Sequence, residues 1–317
     1  MQNVTLGIDI GGTNTKFGLV DRAGHVFFQD QLETEAQRPA EFLFERLFRR
    51  LQNGIHAMPE KVTIKGVGIG APNANHYTGK IEDPPNLSWK SVNLTALVRQ
   101  HLDLPVSVTN DANAAALGEM VFGNARGMRN FIEITLGTGI GSGIVVNGEL
   151  VYGHDGFAGE MGHVIVEKNG RKCGCGRLGC LEAYASATGI TRTMQELLSS
   201  SDKASILRNL PLNDLTSKQI FEAANAKDEL AFEAFEITGR YLGEELANAV
   251  LYFSPEAVIL FGGLAAAGDF IFKPVKKYME ANLLPIFQNK VKILPSGLAM
   301  SEAAILGAAA LIWHKIG

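Results

Sequence analysis

Apolar residues in the first third of the chain come in short runs, separated by polar or glycine-rich breaks. The runs at 4–10, 16–21 and 25–31 predict three strands, and the loop Gly11-Gly12-Thr13-Asn14-Thr15 joins the first two. After Pro39, apolar residues recur with a helical period beside charged positions, which predicts an amphipathic helix with the apolar stripe Phe42, Leu43, Leu47, Leu51 and Ile55. Strands at 62–70 and 106–109 and helices at 94–101 and 112–120 complete the order β-β-β-α-β-α-β-α.

A second set of elements begins at residue 130 and repeats this order in outline. A strand at 130–136, a glycine loop at 137–142 and strands at 143–147 and 149–152 follow one another, with Asn147-Gly148 as a type I′ turn. Strand, Gly-Thr loop, strand, tight turn and strand therefore occur twice, which predicts a duplicated α/β protein of two lobes. We place the small lobe at 1–118, joined by a C-terminal helix in 301–317, and the large lobe at 119–300. The polar segment 191–214 is interpreted as helix or loop.

Composition and charge argue against several classes of protein. At 317 residues with 46% hydrophobic content, the chain is long enough to bury the cores of two lobes. A net charge of −4 without a basic patch gives no support to nucleic acid binding. The longest apolar stretches, at 257–268 and 303–313, are shorter than the roughly 20 residues that span a bilayer. Because the N-terminus also lacks the pattern of a signal peptide, we expect a cytoplasmic protein with neither nucleic acid nor membrane as partner.

All three cysteines lie within eight positions, at Cys173, Cys175 and Cys180 of a glycine-rich segment. A disulfide with a spare thiol, or three inert core cysteines, would be the ordinary interpretations. The odd count, the polar surroundings and the missing export signal argue against both. Three thiolates and one histidine complete a tetrahedral Zn²⁺ site, and His163 stands ten residues before the first cysteine. The pattern predicts a structural zinc site whose four ligands all come from the protein.

Three glycine loops are candidates for holding phosphate groups. Glycines allow backbone N–H groups to approach phosphate oxygens, and a threonine hydroxyl adds a donor. Each loop follows an apolar strand, and Lys16 adds a cation near the first; the candidate residues are Gly11, Gly12, Thr13, Gly137, Thr138, Gly139, Gly262 and Gly263. An ordinary turn is the alternative for each. A dinucleotide site is excluded, because the loop at 137–143 lacks Gly-x-Gly-x-x-Gly spacing and leads into a strand.

Asp9 stands between Ile8 and Ile10 in an otherwise apolar strand. A carboxylate there needs a partner, and a hydrated Mg²⁺ on the phosphates of ATP would supply one. The alternative is a structural hydrogen bond between Asp9 and the loop that follows it.

Blocks along nearly the whole chain resemble the ROK family of bacterial sugar kinases and sugar-responsive repressors. They are Asp9-Ile-Gly-Gly-Thr-Asn-Thr-Lys16, Asn110-Asp111-Ala-Asn-Ala-Ala-Ala-Leu-Gly-Glu119, Leu136-Gly-Thr-Gly-Ile-Gly-Ser-Gly143, Glu160-Met-Gly-His163 with the cysteine segment up to Glu182, and Phe261-Gly-Gly-Leu264. Within the family, the likeness is greatest to the glucokinases. The resemblance implies an actin-like ATPase fold of two ribonuclease H-like lobes with a zinc-binding loop. We also expect a homo-oligomer, either a dimer or a tetramer.

The resemblance further implies transfer of the γ-phosphate of ATP to the 6-hydroxyl of a hexose. Glucose is the expected substrate, and fructose or an N-acetylhexosamine is the alternative. Asp111 matches the family's catalytic base, which takes the proton of the attacking hydroxyl. Sugar contacts are expected at Asn86, Asn110, Asp111, Glu160, His163 and Glu182, with His163 binding zinc through one ring nitrogen and sugar through the other. From local sequence, simpler roles stay open: Asn110 or Asp111 can cap a helix, Asn86 can shape a turn and Glu182 can begin a helix.

Other classes of function fit the sequence less well. A repressor of the family carries a helix-turn-helix module before the first phosphate loop, and a first strand from Val4 is expected to leave no room for one. A sugar sensor without catalysis would not need the residues Asp9, Thr13, Asp111 and Thr138. A zinc hydrolase needs an open metal position, which four protein ligands do not leave.

Overall fold

The computed structural model describes residues 2–84 and 86–316, so Met1, Pro85 and Gly317 lie outside the described residues. The chain forms two compact units. The first takes in the chain up to Met128, the segment Gly143–Gly159 and the chain from Ser296 onward, and the second takes in Arg129–Ser142 and Glu160–Pro295. The predicted lobes, 1–118 with 301–317 and 119–300, have boundaries that differ from those of the two compact units. The division into these lobes therefore stays a prediction. Gly143 belongs to the first unit because its bare backbone lies against Ala112, whose carbonyl oxygen would be 2.8 Å from a Cβ at Gly143.

The first unit is built on a five-stranded sheet. Its strands are β1 (Gln2–Ile10), β2 (Asn14–Val20), β3 (Val26–Glu33), β4 (Val62–Gly70) and β7 (Val106–Thr109). They lie in the order β3-β2-β1-β4-β7; β1, β2 and β3 pair antiparallel, and β1, β4 and β7 pair parallel. Two short strands, β5 (Lys80–Glu82) and β6 (Ser91–Asn93), form a separate antiparallel sheet of two strands.

Helices of the first unit pack on both faces of its sheet. They are α1 (Ala40–Ala57), α2 (Leu94–Arg99), α3 (Asp111–Val121) and α9 (Ala303–Ile316). Leu6 and Ile8 of β1 belong to the same buried cluster as the apolar side chains of α1. On the opposite face, Gly7 leaves room for α9, because a Cβ at Gly7 would lie 2.9 Å from the backbone nitrogen of Ala309. Because successive residues of β1 point to opposite faces of the sheet, one set packs against α1 and the other lies against α9.

The apolar stripe of α1 is broader than the prediction. Leu43, Leu47 and Leu51 are buried as predicted, and Ile55 is partly buried and packs against the same apolar cluster. Phe44 and Phe48 complete the stripe, and Phe42 is only partly buried at its edge. Phe42 instead has the guanidinium carbon of Arg38 3.6 Å from its ring centroid, and this stacking covers part of the exposed ring.

The second sheet repeats the plan of the first. Its strands are β8 (Phe131–Leu136), β9 (Ile140–Val146), β10 (Glu149–Leu150), β11 (Ala257–Phe261) and β12 (Lys292–Pro295). Their order is β10-β9-β8-β11-β12, with β8, β11 and β12 parallel, and the chain passes from the second unit to the first within β9. This order matches β3-β2-β1-β4-β7 strand for strand, so the predicted duplication is confirmed.

Helices of the second unit are α4 (Glu182–Ala185), α5 (Ala187–Ser200), α6 (Ser217–Asn225), α7 (Glu229–Phe253) and α8 (Asp269–Asn282). The loop predicted at 137–142 is shorter, because β9 already begins at Ile140. The segment predicted as helix or loop at 191–214 comprises the end of α5 and two short 3₁₀ turns. Asn147 and Gly148 have φ values of 56° and 87°, which confirms the predicted type I′ turn. Within residues 2–84 and 86–316, every helix is too short or too polar to cross a membrane.

Candidate functional site

Two carboxylates lie at the carboxyl edge of the first sheet. Asp9 of β1 pairs with Gly70 of β4, and Gly70 pairs with Thr109 of β7, two residues before Asp111. A Cβ at Gly70 would lie 3.7 Å from both Asp9 Oδ1 and Asp111 Cα. The missing side chain of Gly70 therefore leaves a gap between the two acidic residues, at the edge where parallel strands commonly present functional groups.

The sequence left open whether Asn110 or Asp111 caps the helix that follows, and the structure assigns the cap to Asn110. Asn110 is the N-cap of α3, and its Oδ1 accepts a hydrogen bond from the N–H of Asn113 at 2.7 Å. Asp111 is the first residue of the helix, and its Oδ1 accepts from the N–H of Ala112 at 3.0 Å. Because Asn110 already caps the helix, the exposed carboxylate of Asp111 has an oxygen available for chemistry.

The surroundings of this acidic pair favour protonation. Burial, with the negative charge of Asp111 as second cause, raises the pKa of Asp9 from 3.8 to about 7, while Lys16 works in the opposite direction. Burial likewise raises the pKa of Asp111, although hydrogen bonds from backbone N–H groups oppose the shift. The Asp111 side chain reaches water even though protein atoms crowd around it. Two ionised carboxylates here are thus unfavourable unless a cation joins them, and the donor set fits a hard, oxygen-binding ion such as Mg²⁺.

The first glycine loop is held by a threonine that the sequence analysis missed. Thr34 donates from its N–H to the Thr13 carbonyl at 2.8 Å and from its hydroxyl to the Gly11 carbonyl at 2.7 Å. Thr13 is exposed at the tip of the loop, and Lys16 pairs across the strands with Asp9. The fixed loop thus presents its exposed residues beside the Asp9 carboxylate.

Asn86 lies directly against the first glycine loop. A Cβ at Gly12 would lie 2.7 Å from the Cβ of Asn86 and 2.9 Å from its carbonyl oxygen. The N–H of Leu87 donates to the Pro84 carbonyl at 3.4 Å, so Asn86 belongs to a tight bend, as its alternative interpretation expected. Its side chain is nevertheless exposed. The bend therefore brings an exposed amide close to the loop that carries Thr13.

Two further glycine loops lie side by side in the second unit. They follow β8 and β11, which are parallel neighbours. Gly262 has φ +99°, and a Cβ there would lie 2.6 Å from the carbonyl oxygen of Leu136, so only glycine fits. A Cβ at Gly263 would meet nothing within 4 Å, and Thr138 is exposed. Open space therefore lies beside the backbone at Gly137 and Gly263, whereas a Cβ at Gly139 would overlap the Glu182 carboxylate.

The three cysteines and His163 converge as the sequence predicts. Their four candidate ligand atoms all lie within 4.8 Å of one another. Cys173 Sγ is 3.7 Å from His163 Nδ1, and Cys175 Sγ is 3.7 Å from Cys180 Sγ. With Zn–S bonds of about 2.3 Å, tetrahedral sulfur ligands lie about 3.8 Å apart, so the cluster fits zinc. Nδ1 faces the cluster, and Nε2 of His163 is left for another contact.

The two predicted glutamates flank this cluster. Glu160 is exposed and precedes the 3₁₀ turn Met161–His163. Glu182 begins α4, as its simpler interpretation expected, and its Oε2 accepts from the N–H of Ile140 at 3.0 Å. Its Oε1 lies 3.4 Å from Cys173 Sγ. Glu182 therefore connects the cysteine segment to the glycine loop at 137–139, a contact that no sequence pattern indicated.

Arg171 fixes the cysteine segment to the helices behind it, and the sequence analysis missed this residue also. Its Nη1 donates to the carbonyls of Ala183 and Gly189 at 3.0 and 3.2 Å, and its guanidinium carbon lies 4.6 Å from the Tyr184 ring centroid. The Tyr184 hydroxyl accepts from the N–H of Arg171 at 2.7 Å. A lone arginine beside a cysteine cluster carries no local signal of these distant partners.

The predicted site residues thus form a group in each unit. The first unit holds Asp9, Gly11, Gly12, Thr13, Lys16, Asn86, Asn110 and Asp111. The second holds Gly137, Thr138, Gly139, Glu160, His163, Cys173, Cys175, Cys180, Glu182, Gly262 and Gly263.

Comparison with known proteins decides the family. The model of the ROK family matches residues 5–315. The chain belongs to the ROK family. A glucokinase of Thermotoga maritima is 35% identical over 98% of this chain and 98% of its own length. The crystal structure of a ROK family glucokinase from Streptomyces griseus, in complex with glucose and AMPPNP, has a TM-score of 0.79 and 32% identity over 97% of this chain and 98% of that one. The actin-like ATPase fold that the motifs implied is thereby confirmed.

Regulators of the ROK family are similar to this chain as well. A xylose repressor of Bacillus spizizenii is 30% identical over 98% of this chain, which covers 77% of the repressor. Membership of the ROK family alone therefore does not distinguish an enzyme from a regulator. The residues of the candidate site are needed to distinguish them.

Proposed function

We propose that this ROK protein is an ATP-dependent hexokinase that phosphorylates the 6-hydroxyl of glucose. The observation that carries the proposal is the acidic pair at the edge of the first sheet, where Asp111 stands beside Asp9 across the gap at Gly70. The similarity to glucokinases over nearly the full chain supports the same activity. A regulator that only binds sugar has no need for two carboxylates held in a crowded setting that raises the pKa of both.

Asp111 acts in this proposal as the general base. As the sugar oxygen bonds to the γ-phosphorus, the bond from that phosphorus to the oxygen it shares with the β-phosphate breaks, and ADP leaves. The proton of the sugar hydroxyl passes to Asp111. Burial raises the pKa of this carboxyl and so strengthens it as a base. General base catalysis by a positioned side chain contributes about 10²- to 10⁴-fold in rate.

Asp9 and the glycine loops position the phosphates. Mg²⁺ bound with ATP would neutralise phosphate charge, and Asp9 would hold its hydration shell. Lys16, which pairs across the strands with Asp9, supplies a positive charge on the same edge. The backbone N–H groups and hydroxyls around Thr13 and Thr138 supply neutral donors, which orient phosphate oxygens.

Polar side chains of both groups of candidate residues recognise the sugar. Asn86, Asn110, Glu160, His163 and Glu182 offer the donors and acceptors that sugar hydroxyls need. Zinc held by His163 Nδ1 and the three cysteines would be structural, keeping the segment between Glu160 and Glu182 in place. His163 Nε2 then remains for a hydroxyl group.

A panel of sugars tests the proposal and its nearest alternatives. ADP formation is measured with glucose, mannose, fructose, allose, N-acetylglucosamine and N-acetylmannosamine, and we expect the highest kcat/KM for glucose. A preference for fructose would make the protein a fructokinase, and a preference for an N-acetylhexosamine would make it an amino sugar kinase. Sugar binding with no phosphoryl transfer to any of them would identify a sugar-sensing regulator.

Asp111→Asn tests the role of the base. The variant keeps the shape of the side chain and leaves the Asn110 cap intact, so we expect kcat to fall by about 10² or more without a loss of stability. Asp103→Asn, on an exposed position before β7, is the matched control and should keep full activity. Retention of more than about a tenth of kcat, a loss below about 1.4 kcal/mol, would contradict the assignment.

A further inference from the structure

The first unit contains a cavity of about 250 Å³ that the proposed reaction does not use. It lies between β7, β10, α3 and α9, and the leucines Leu117, Leu150 and Leu311 form its apolar walls. No residue of the candidate site is among those that line it in the described part of the chain.

Two buried polar atoms of residues that line this cavity have no partner among the described residues. They are the hydroxyl oxygen of Ser107, a residue that is 3% exposed, and Nδ1 of His76. The His76 ring stacks on Tyr152, with centroids 3.9 Å apart and an interplanar angle of 8°, and it donates to the Val108 carbonyl. Burial, followed by the charge of Lys315, lowers the pKa of His76. The lowered pKa favours the neutral ring, and with the proton on the nitrogen that faces Val108, Nδ1 is an acceptor.

Charged side chains lie at the same cavity. Lys315 contributes a flexible ammonium group at the end of α9. Among the described residues of the lining, Glu149 is the one acidic group, and its Oε2 lies 3.3 Å from Nε2 of His314. The cavity thus combines a cation, a neutral hydroxyl, a ring nitrogen that accepts hydrogen bonds, and apolar walls.

We propose that this cavity is a second ligand site, which takes a small anion that also carries hydroxyl groups, the chemical class of the sugar phosphates. The anionic group pairs with Lys315, one hydroxyl donates to His76 Nδ1, and Ser107 accepts or donates as needed. The leucine walls cover the carbon skeleton of the ligand. Buried unpaired acceptors are rare because they are costly, so a ligand that supplies their partners is favoured there.

The cavity is connected to the acidic pair through β7. Ser107 lies two residues before Thr109, whose side chain hydrogen-bonds to Tyr152, and four before Asp111. A ligand on Ser107 and on the His76–Tyr152 stack therefore holds the strand that ends at Thr109, two residues before Asp111. The product of the proposed reaction belongs to the same chemical class, so the site would respond to product; this last step rests on the proposed function.

Binding is tested on the whole protein with glucose 6-phosphate as the probe and saturating glucose present to occupy the sugar site. Calorimetry gives the affinity, and the ring signals of His76 in NMR, assigned with His76→Gln, report the location. We expect a saturable shift of these signals, and at least tenfold weaker binding of inorganic phosphate. Ser107→Ala and Lys315→Met should each weaken glucose 6-phosphate at least tenfold. Lys290→Met, on the surface of the second unit, should not change it.

Three results would overturn the inference. If the His76 signals do not shift, the cavity holds only water, for which its volume allows about eight molecules. Equal affinity for phosphate alone would make it a simple anion site. An unchanged affinity in both Ser107→Ala and Lys315→Met would place the ligand elsewhere. Because Ser107→Ala removes an unpaired hydroxyl, it should fold at least as stably as the wild type, so lost binding cannot reflect misfolding. Failure of the kinase assay would remove the link to product and leave the binding result standing.

Discussion

Replacing Asp9 with asparagine should stabilise the protein at alkaline pH and have less effect at pH 5. Burial and the neighbouring charge of Asp111 raise the pKa of Asp9 from 3.8 to about 7. In the unfolded chain this carboxyl titrates near its ordinary value, so between about pH 4 and pH 7 the folded state keeps a proton that the unfolded state has released. The folded state binds more protons in this window, and the free energy of unfolding therefore falls as pH rises through it. Asparagine does not titrate and avoids this loss.

The size of the effect follows from the width of the window. Each pH unit is worth about 1.4 kcal/mol, so the two units from pH 5 to pH 7 give an upper limit of about 2.7 kcal/mol. Asp9 is partly open to water, which lowers the cost of its charge. We expect the stability difference between Asp9→Asn and wild type to grow by about 1 to 1.5 kcal/mol from pH 5 to pH 8.

Urea unfolding followed by tryptophan fluorescence measures this difference. Both tryptophans, Trp89 and Trp313, are buried in the same unit as Asp9 and report its unfolding. Asp103→Asn, at an exposed position of that unit, is the control and should show no such trend. If Asp9→Asn differs from wild type by the same amount at pH 5 and pH 8, the burial argument is wrong. Adding MgATP at pH 8 should narrow the gap, because a cation on Asp9 offsets the cost of its charge.

Further variants test other parts of the site. Cys175→Ser should lower the zinc content of purified protein from about one per chain by at least tenfold and destabilise the second unit; full zinc occupancy by elemental analysis would contradict the Cys₃His site. Gly12→Ala should destabilise the first unit and weaken the binding of both sugar and nucleotide several-fold in titrations, because its Cβ would lie 2.7 Å from the Asn86 Cβ. Gly263→Ala, which meets nothing within 4 Å, should keep wild-type stability, and similar destabilisation by both glycine variants would refute the steric argument. Asn110→Ala should lose about 1 kcal/mol of unfolding free energy with its helix cap, and a urea midpoint equal to wild type would show that the cap is dispensable.

The sequence alone predicted features that depend on local pattern. Apolar runs and glycine loops identified the repeated strand order, because strand alternation and turn chemistry act over a few residues. The zinc ligands were predictable for the same reason, since His163 and the three cysteines lie within 18 positions and a glycine-rich segment folds on itself. The Asn147-Gly148 turn is a further case, because both residues tolerate positive φ.

Only the tertiary structure decided which role each residue takes and which distant residues lie close together. It assigned the helix cap to Asn110 and left Asp111 available, and it turned the Glu182 carboxylate toward Ile140. The closeness of Asp9 and Asp111 depends on the register of β1, β4 and β7, with Gly70 between them. No local pattern encodes that register, because it results from packing segments that lie far apart in the chain. Burial and neighbouring charge, which raise the pKa of Asp9, exist only after those segments have come together.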